Sequence, residues 1–418
     1  MEKVPGCWEH MSSVWSALKD ARQNKTSLAN VWLDIANAYG SIPHRLFFFA
    51  LKRYEVLEPW ITLIQKYYSA IYTKSFSSSA PSNWHQHFRG IFAGCTVSII
   101  LFLSGINVII EHTLTSEANN FIHSSKACLP LIRAFMDDLS LMSNSVSGTQ
   151  QLLKKCTEAL TWAGMSFRAD KSRSIVIIKG RSMNSTPFNV NEPSSPTDFS
   201  CFIPAIQSNP IKFLGRVIDW SLSDRKCVKE MEDKLLSGLN VISKSSFKGS
   251  QKLWILQHLL IPKIQWALLV YEVPMSTASL LERKISVFIR KWLNIHPSTS
   301  SLSLYSPLSP CPLPIKSLTD ILRSSKISGH LLLRDSKDPA VASMKHKLKA
   351  GLWQPDKPVT IAEAELNFQK LRGPTSLGRS DLGFHKTSQI PPRQTHDYNL
   401  CKKVKVLSNF LGYSTLNT

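Results

Sequence analysis

The sequence predicts an α+β chain: an antiparallel sheet with helices on one face, followed by a mainly helical region. Three observations predict it. Short apolar runs bounded by turn residues recur at 28–36, 131–143 and 175–179, which is how strands read. Between them lie longer stretches with apolar residues at helical spacing. From 220 to 295 that spacing is nearly continuous.

The elements follow in order. Met11 to Arg22 reads as an amphipathic helix with Val14, Trp15 and Leu18 as its apolar stripe, ended by the polar QNKTS. Leu28 to Ala36, LANVWLDIA, is a strand holding one carboxylate, Asp34. Pro43 suits the first turn of a helix through FFFALKRY. A further helix covers Trp60 to Tyr72, and the Ser-rich SFSSSAPSN closes it before a strand at Trp84 to Ile91. No residue from Phe92 to Ile110 is charged, so this segment just reaches membrane-spanning length. Its Gly94, Thr96, Ser98, Ser104, Gly105 and Asn107 favour instead a helix buried within the protein, and no membrane partner is expected.

Leu131 to Ser143, LIRAFMDDLSLMS, has two apolar runs meeting at Asp137 and Asp138, the pattern of a tight hairpin with an acidic tip. Ser147 caps a helix with Leu152, Leu153, Cys156, Leu160 and Ala163 on one face, stopped at Gly164. The strand IVIIK comes next. Ser182 to Pro210, rich in Ser, Pro and Asn, reads as a surface excursion. After KFLGRVID, helices run from Cys227 to Leu293, and Pro262 breaks or kinks the run. In the last helix Leu281, Ile285, Phe288 and Trp292 form a packing stripe, with Arg283, Lys284, Arg290 and Lys291 on other faces. Such cations either solvate an outer face or meet phosphates. Beyond residue 296, helical pieces LTDILRSSK and AEAELNFQKLR alternate with loops, and CKKVKVL is a small basic cluster.

Composition narrows the function. With 418 residues, 43% of them hydrophobic, the chain has material for a buried core and is not disordered. Its formal net charge of +21 calls for a polyanionic partner, either nucleic-acid phosphates or an anionic membrane surface. The eight cysteines form no CxxC pair, and MEKVPGCWEHMSS has no apolar leader. Both speak for a reducing, intracellular location without structural disulfides or zinc, with nucleus and cytoplasm equally open.

Three carboxylates carry the chemistry. An ionised group in an apolar strand is costly unless paired or metal-bound, so Asp34 needs a partner. If its strand lies beside the acidic hairpin, Asp34 and Asp137 converge, and hard oxygens of this kind suit Mg²⁺. Two such ions about 3.5–4 Å apart drive an in-line displacement at phosphorus, which is polymerase or nuclease chemistry. Because side chains alternate along a strand, Asp137 is preferred over Asp138 as a direct ligand. An isolated Asp pair is also ordinary turn chemistry.

WLDIANAYGSIPH at 32–44, GIFAGCTVSIILF at 90–102, FMDD at 135–138, GMSFRADKSRSIVI at 164–177 and KFLG at 212–215 occur in the order of the palm motifs of reverse transcriptases. Together they resemble the kind found in non-LTR retrotransposons. The resemblance covers residues 7 to 219, and the basic helices after 220 resemble the thumb that follows. It implies a polymerase palm in which Asp34, Asp137 and Asp138 are catalytic and hold two Mg²⁺ ions. It implies that Tyr39 stacks under the nucleotide sugar, Gly94 approaches the template, and Phe135 and Met136 lie near the primer end. Lys171 would protonate the pyrophosphate or neutralise its charge, Lys212 and Gly215 would support the primer, and Arg283, Lys284, Arg290 and Lys291 would contact phosphates. A bulky aromatic beside the sugar excludes a 2′-hydroxyl, although Tyr39 equally reads as a core residue, Lys171 as a solvated loop lysine and Gly90 and Gly94 as turn glycines.

This sequence departs from the family at Ala93, where the second motif commonly has Gln, and at Gly40, where many relatives carry Asp. Only about thirty residues precede Asp34, which implies an N-terminally truncated chain lacking most of the fingers. The expected organisation is a fingers remnant at 1–30, palm at 31–219, thumb-like helices at 220–295 and a basic region of unassigned role at 296–418. The expected function is an RNA-directed DNA polymerase using RNA template, DNA primer and deoxynucleoside triphosphates. The alternative is a catalytically inactive nucleic-acid-binding remnant, and a metal-dependent nuclease ranks third.

Overall fold

The computed structural model describes residues 6–372 apart from 75, 77–81, 93, 184–187, 191–200, 208, 306–312, 314, 345 and 347. They form two compact units, one from Gly6 to Leu222 and one from Ser223 onward. The basic CKKVKVL lies outside the described residues, as does Ala93.

In the first unit, α1 (Cys7–Gln23) leads to strand β1 (Leu28–Asp34), then α2 (Ala38–Ser41), α3 (His44–Arg53) and α4 (Glu58–Ser69). A small ribbon pairs β2 (Tyr72–Thr73) with β3 (His85–Gln86), and α5 (Thr96–Thr113) follows. The acidic hairpin is β4 (Ile132–Phe135) and β5 (Asp138–Ser143), succeeded by α6 (Val146–Ala163), β6 (Arg173–Ile178) and β7 (Arg181–Ser182). β8 (Asn189–Val190) pairs with β9 (Cys201–Phe202), and β10 (Ile211–Phe213) with β11 (Arg216–Ile218). The main sheet has the order β4-β5-β1-β6-β7, and its pairs are antiparallel.

Strand periodicity divides the sheet into two faces. Ala29, Val31, Leu33, Leu139, Leu141 and Val176 bury one face against Phe47 of α3, Phe102 and Ile106 of α5, and Leu152, Cys156 and Leu160 of α6. Each large side chain buried there contributes about 1.5–3 kcal/mol. By length and composition α5 and the stretch Gly249–Val270 are apolar enough to cross a membrane, but Leu101, Phe102, Ile106 and Ile109 of α5 belong to this core. The second face, with Trp32 and Asp34, is not bare. Phe135 on that face meets His10 of α1 edge-on at 5.9 Å, and Trp32 meets Phe213 of β10 at 6.1 Å.

The second unit is helical: α7 (Arg225–Lys244), α8 (Gly249–Ile255), a π turn (Leu256–Leu260), α9 (Ile261–Val270), α10 (Met275–Leu293), α11 (Ser301–Tyr305), α12 (Leu318–Arg334), α13 (Pro339–Ser343) and α14 (Asp356–Arg372). Pro262 does not end the run. It occupies the first turn of α9, where its missing N–H is tolerated, and the π turn just before it absorbs the irregularity. The core face of α10 is Ala278, Leu281, Ile285 and Ile289, while Phe288 and Trp292 flank it half-buried.

Local differences from the expectation have physical causes. The helix expected to reach Tyr72 stops at Ser69, and the strand expected at 84–91 is two residues long, because Trp84 and Phe88 face solvent. Ser145, not Ser147, caps α6, its hydroxyl accepting from Gly148 N–H at 3.1 Å. Phe188 and Ile203, within the supposed surface excursion, are fully buried in the core.

After β3, the chain at Gly90 folds tightly onto α2 and the start of α3. Gly90 N–H donates to Ile42 O at 2.7 Å, Ile91 N–H to Tyr39 O at 2.8 Å, and His44 Nε2–H to Gly90 O at 2.9 Å. Gly90 has φ +85°, and a Cβ there would stand 2.9 Å from Gly40 O. Gly90→Ala is therefore expected to destabilise the protein by about 1–3 kcal/mol, read by chemical denaturation; an unchanged midpoint would refute this packing.

Candidate functional site

β1 and β5 run antiparallel in a register that sets Asp34 directly opposite Asp138, with Leu33 opposite Leu139 and Trp32 opposite Ser140. Residues opposite one another share a face. Leu33 and Leu139 point into the core, so Asp34 and Asp138 emerge together on the other face, at the last rung of the ladder. Phe135 pairs with Asp138 and shares that face. Met136, with φ +57°, and Asp137 make the hairpin tip. The carboxylate aligned with Asp34 is thus that of Asp138 rather than Asp137, because the tip residues lie outside the ladder.

The three acids act on one another. Burial pushes the Asp138 carboxyl up to about 6, and the charges of Asp137 and Asp34 add to the effect. Burial also raises the Tyr39 hydroxyl, with a further contribution from Asp137. Tyr39 stacks on Phe102 at 4.8 Å with 20° between the rings, so one side of its ring is committed to the core. Among the described residues no three His, Cys, Asp or Glu side chains are grouped to hold a metal as they stand. A cation of the Mg²⁺ type, however, keeps several waters and takes only one or two carboxylates. Hard carboxylate oxygens grouped in this way fit such an ion.

The loop after α6 holds Asp34 from the other side. Ile35 bridges Phe167, Ala36 N–H donates to Ser166 O at 2.9 Å, and Arg168 N–H donates to Asp34 O at 2.8 Å. The Ser172 hydroxyl accepts from Asp34 N–H at 3.2 Å and donates to Arg168 O at 2.8 Å. Lys171, exposed on this loop, lines a cavity of about 300 Å³ with Trp32, Asp34, Asp138, Arg173 and Lys212. Two carboxylates on one wall thus share a cavity with three cations.

Lys212 belongs to the β10–β11 hairpin, whose tip Leu214–Gly215 has φ of +45° and +82°, as a two-residue hairpin turn requires. The hairpin is bound to α1. The Arg216 guanidinium lies 3.5 Å from the Trp15 ring centroid, Cys7 Sγ donates to Leu214 O at 3.6 Å, and Arg22 donates to Ser221 O. A desolvated cation–π contact contributes about 2 kcal/mol, and Arg216 is almost wholly buried.

Gly94 has φ +91° with open space around it. In the second unit Arg283, Lys284 and Lys291 are exposed, whereas Arg290 is half-buried and donates to Thr299 O and Ser301 Oγ, both at 2.8 Å from Nη2. Sequence reasoning missed Ser172, Cys7 and the Trp15–Arg216 pair. Trp15 looked like one more apolar stripe residue, and nothing local marks a hydroxyl that steadies a strand 138 positions away.

Residues 2–218 match the family model described as reverse transcriptase (RNA-dependent DNA polymerase). The chain is 25% identical over 328 residues to the Retrovirus-related Pol polyprotein from type-2 retrotransposable element R2DM of Drosophila melanogaster, covering 78% of this chain and 30% of that protein. It is 20% identical over 307 residues to the corresponding polyprotein from type-1 retrotransposable element R2 of Nasonia vitripennis, covering 72% and 29%. The chain therefore spans about 30% of the length of the curated relatives it matches. Among solved structures, telomerase from Candida albicans aligns at 12% identity with a TM-score of 0.28, covering 82% of this chain and 54% of that one.

The charge at Asp138 has a pH signature. Its folded value of about 6 exceeds the unfolded carboxyl value near 4, so proton uptake favours the fold. That stabilisation is complete below about pH 4 and is lost as pH rises through 6. In metal-free protein Asp138→Asn should raise Tm at pH 7.5 by a few degrees and leave it nearly unchanged at pH 4. A fall in Tm at pH 7.5, measured by calorimetry, would contradict this electrostatic account.

Proposed function

The chain belongs to the reverse transcriptase (RNA-dependent DNA polymerase) family, and on that basis we propose that it is an RNA-directed DNA polymerase of the non-LTR retrotransposon type, extending a DNA primer on an RNA template. The observation that carries this reading is the register that brings Asp34 and Asp138 face to face beside Asp137. Two Mg²⁺ ions held by Asp34, Asp137 and Asp138 would supply Lewis acidity towards the attacking 3′-hydroxyl and the leaving oxygen.

The protein's own groups bind, orient and shield. Tyr39, backed by Phe102, is a fixed plate beside the sugar that rejects a 2′-hydroxyl and so selects deoxynucleoside triphosphates. Phe135 and Met136 form the wall near the primer end. Gly94, with no side chain in open space, lets the template approach the backbone. Lys171 neutralises or protonates the departing pyrophosphate. Lys212 and Gly215 steady the primer from the hairpin clamped by Arg216. Arg283, Lys284 and Lys291 offer exposed charge to backbone phosphates, while Arg290 is engaged with Thr299 and Ser301. A nucleotide-consuming reaction of this kind takes place inside the cell.

A non-catalytic nucleic-acid binder is the second reading, favoured by the formal net charge of +21, which alone gives affinity for phosphates. Primer extension on an RNA template separates the two. Asp137→Ala should cut product at least about 100-fold, since even outer-shell partners of metal ligands are worth roughly 10–100-fold, while Asp34→Asn should not weaken salt-sensitive template binding. Equal product from wild type and Asp137→Ala would reject the polymerase reading.

A further inference from the structure

The β2–β3 ribbon carries aromatic rings that the core does not use. Tyr72, Phe76, Trp84 and Phe88 are 52%, 80%, 66% and 72% exposed. The Lys74 ammonium lies 5.8 Å from the Phe76 ring centroid and 5.9 Å from that of Trp84, so one cation serves two outward-facing rings. Between Glu58 and Glu111 the chain has no acidic residue, yet it includes Lys66, Lys74 and Arg89. The base of the ribbon is anchored. Gln86 Nε2 donates to Ser69 O at 2.9 Å, Thr73 Oγ1 meets His87 Nε2 at 2.5 Å, and Arg89 donates to Gly164 O at 3.2 Å.

We propose that this ribbon is a binding surface for unpaired nucleic acid, with bases stacked on Phe76 and Trp84 and a phosphate at Lys74. Every base offers a flat π face, and stacking on exposed aromatics beside a cation is how single strands are held without regard to sequence. A duplex hides those faces within its own stack. An acid-free, cationic segment complements a phosphate backbone, whereas an apolar protein partner gives the cations nothing to meet. The inference goes beyond nucleotidyl transfer and does not depend on it, because it rests on surface groups outside the carboxylate site.

The test uses the full chain in chelator-containing buffer at fixed salt, with fluorescent oligo-U RNA, oligo-dT DNA and a mixed-sequence duplex of equal length, read by anisotropy. Phe76→Ala combined with Trp84→Ala should weaken single-strand binding by about tenfold per ring, leave the duplex nearly unchanged and leave Tm unaltered, since both rings are exposed. Phe76→Tyr with Trp84→Phe should retain affinity. A loss for RNA, DNA or both supports the proposal, and their relative size tells which strand the ribbon prefers. Equal loss for single strand and duplex, no loss at all, or lost binding to phosphatidylserine vesicles with single-strand affinity intact would overturn it. Failure of primer extension in the wild type would leave this result standing.

Discussion

The β1–β5 ladder ends with two carboxylates held opposite one another, and a third stands at the adjoining turn. Like charges in that arrangement repel, and partial burial makes the repulsion stronger. The fold holds them there because register is not free: slipping β5 by one residue would turn Leu139 and Leu141 out of the core and Ser140 and Met142 into it. Hydrophobic burial on one face of the sheet thereby sets an electrostatic strain on the other. A divalent cation held there would relieve that strain, which is how a packing pattern could serve the phosphoryl chemistry proposed above.

The second face of the sheet is built around that strain. α1 and the β10–β11 hairpin leave the last rung of the ladder open while covering Trp32 behind it. The Trp15–Arg216 contact, the thiol of Cys7 and the ring pair Trp32–Phe213 fix the hairpin to the sheet, so Lys212 faces Asp34 and Asp138 across one cavity. The loop carrying Lys171 and Ser172 is stitched to the end of β1 from the opposite edge. Acidic and basic groups are thus positioned by separate elements, the hairpin by its contacts with α1 and Trp32 and the loop by hydrogen bonds to the end of β1.

Much of this was legible in the sequence. The strand at Asp34 and the FMDD hairpin were readable because both are short apolar runs interrupted by acids and bounded by turn residues, and α5 because an uncharged run diluted by Ser and Gly suits a core helix. What escaped was non-local. Which residue of the Asp137–Asp138 pair stands across the ladder from Asp34 depends on where the turn begins, and alternation alone does not give that. Phe188 and Ile203 were hidden by polar neighbours, although two buried side chains outweigh a polar composition. Trp84 and Phe88 suggested a longer strand, but strand-forming residues without a ladder partner stay as exposed rings. The α1 clamp on the hairpin joins residues some 200 positions apart, and no local pattern encodes such a contact.

Asp34, Asp137 and Asp138 are proposed to form one cation-binding surface. Anomalous scattering from crystals soaked in Mn²⁺, a stand-in for Mg²⁺, tests it most directly. An anomalous peak is expected within coordination distance of the Asp34 and Asp138 carboxylates, and it should disappear in Asp138→Asn crystals. Manganese bound only elsewhere, or a peak that survives that substitution unchanged, would contradict it.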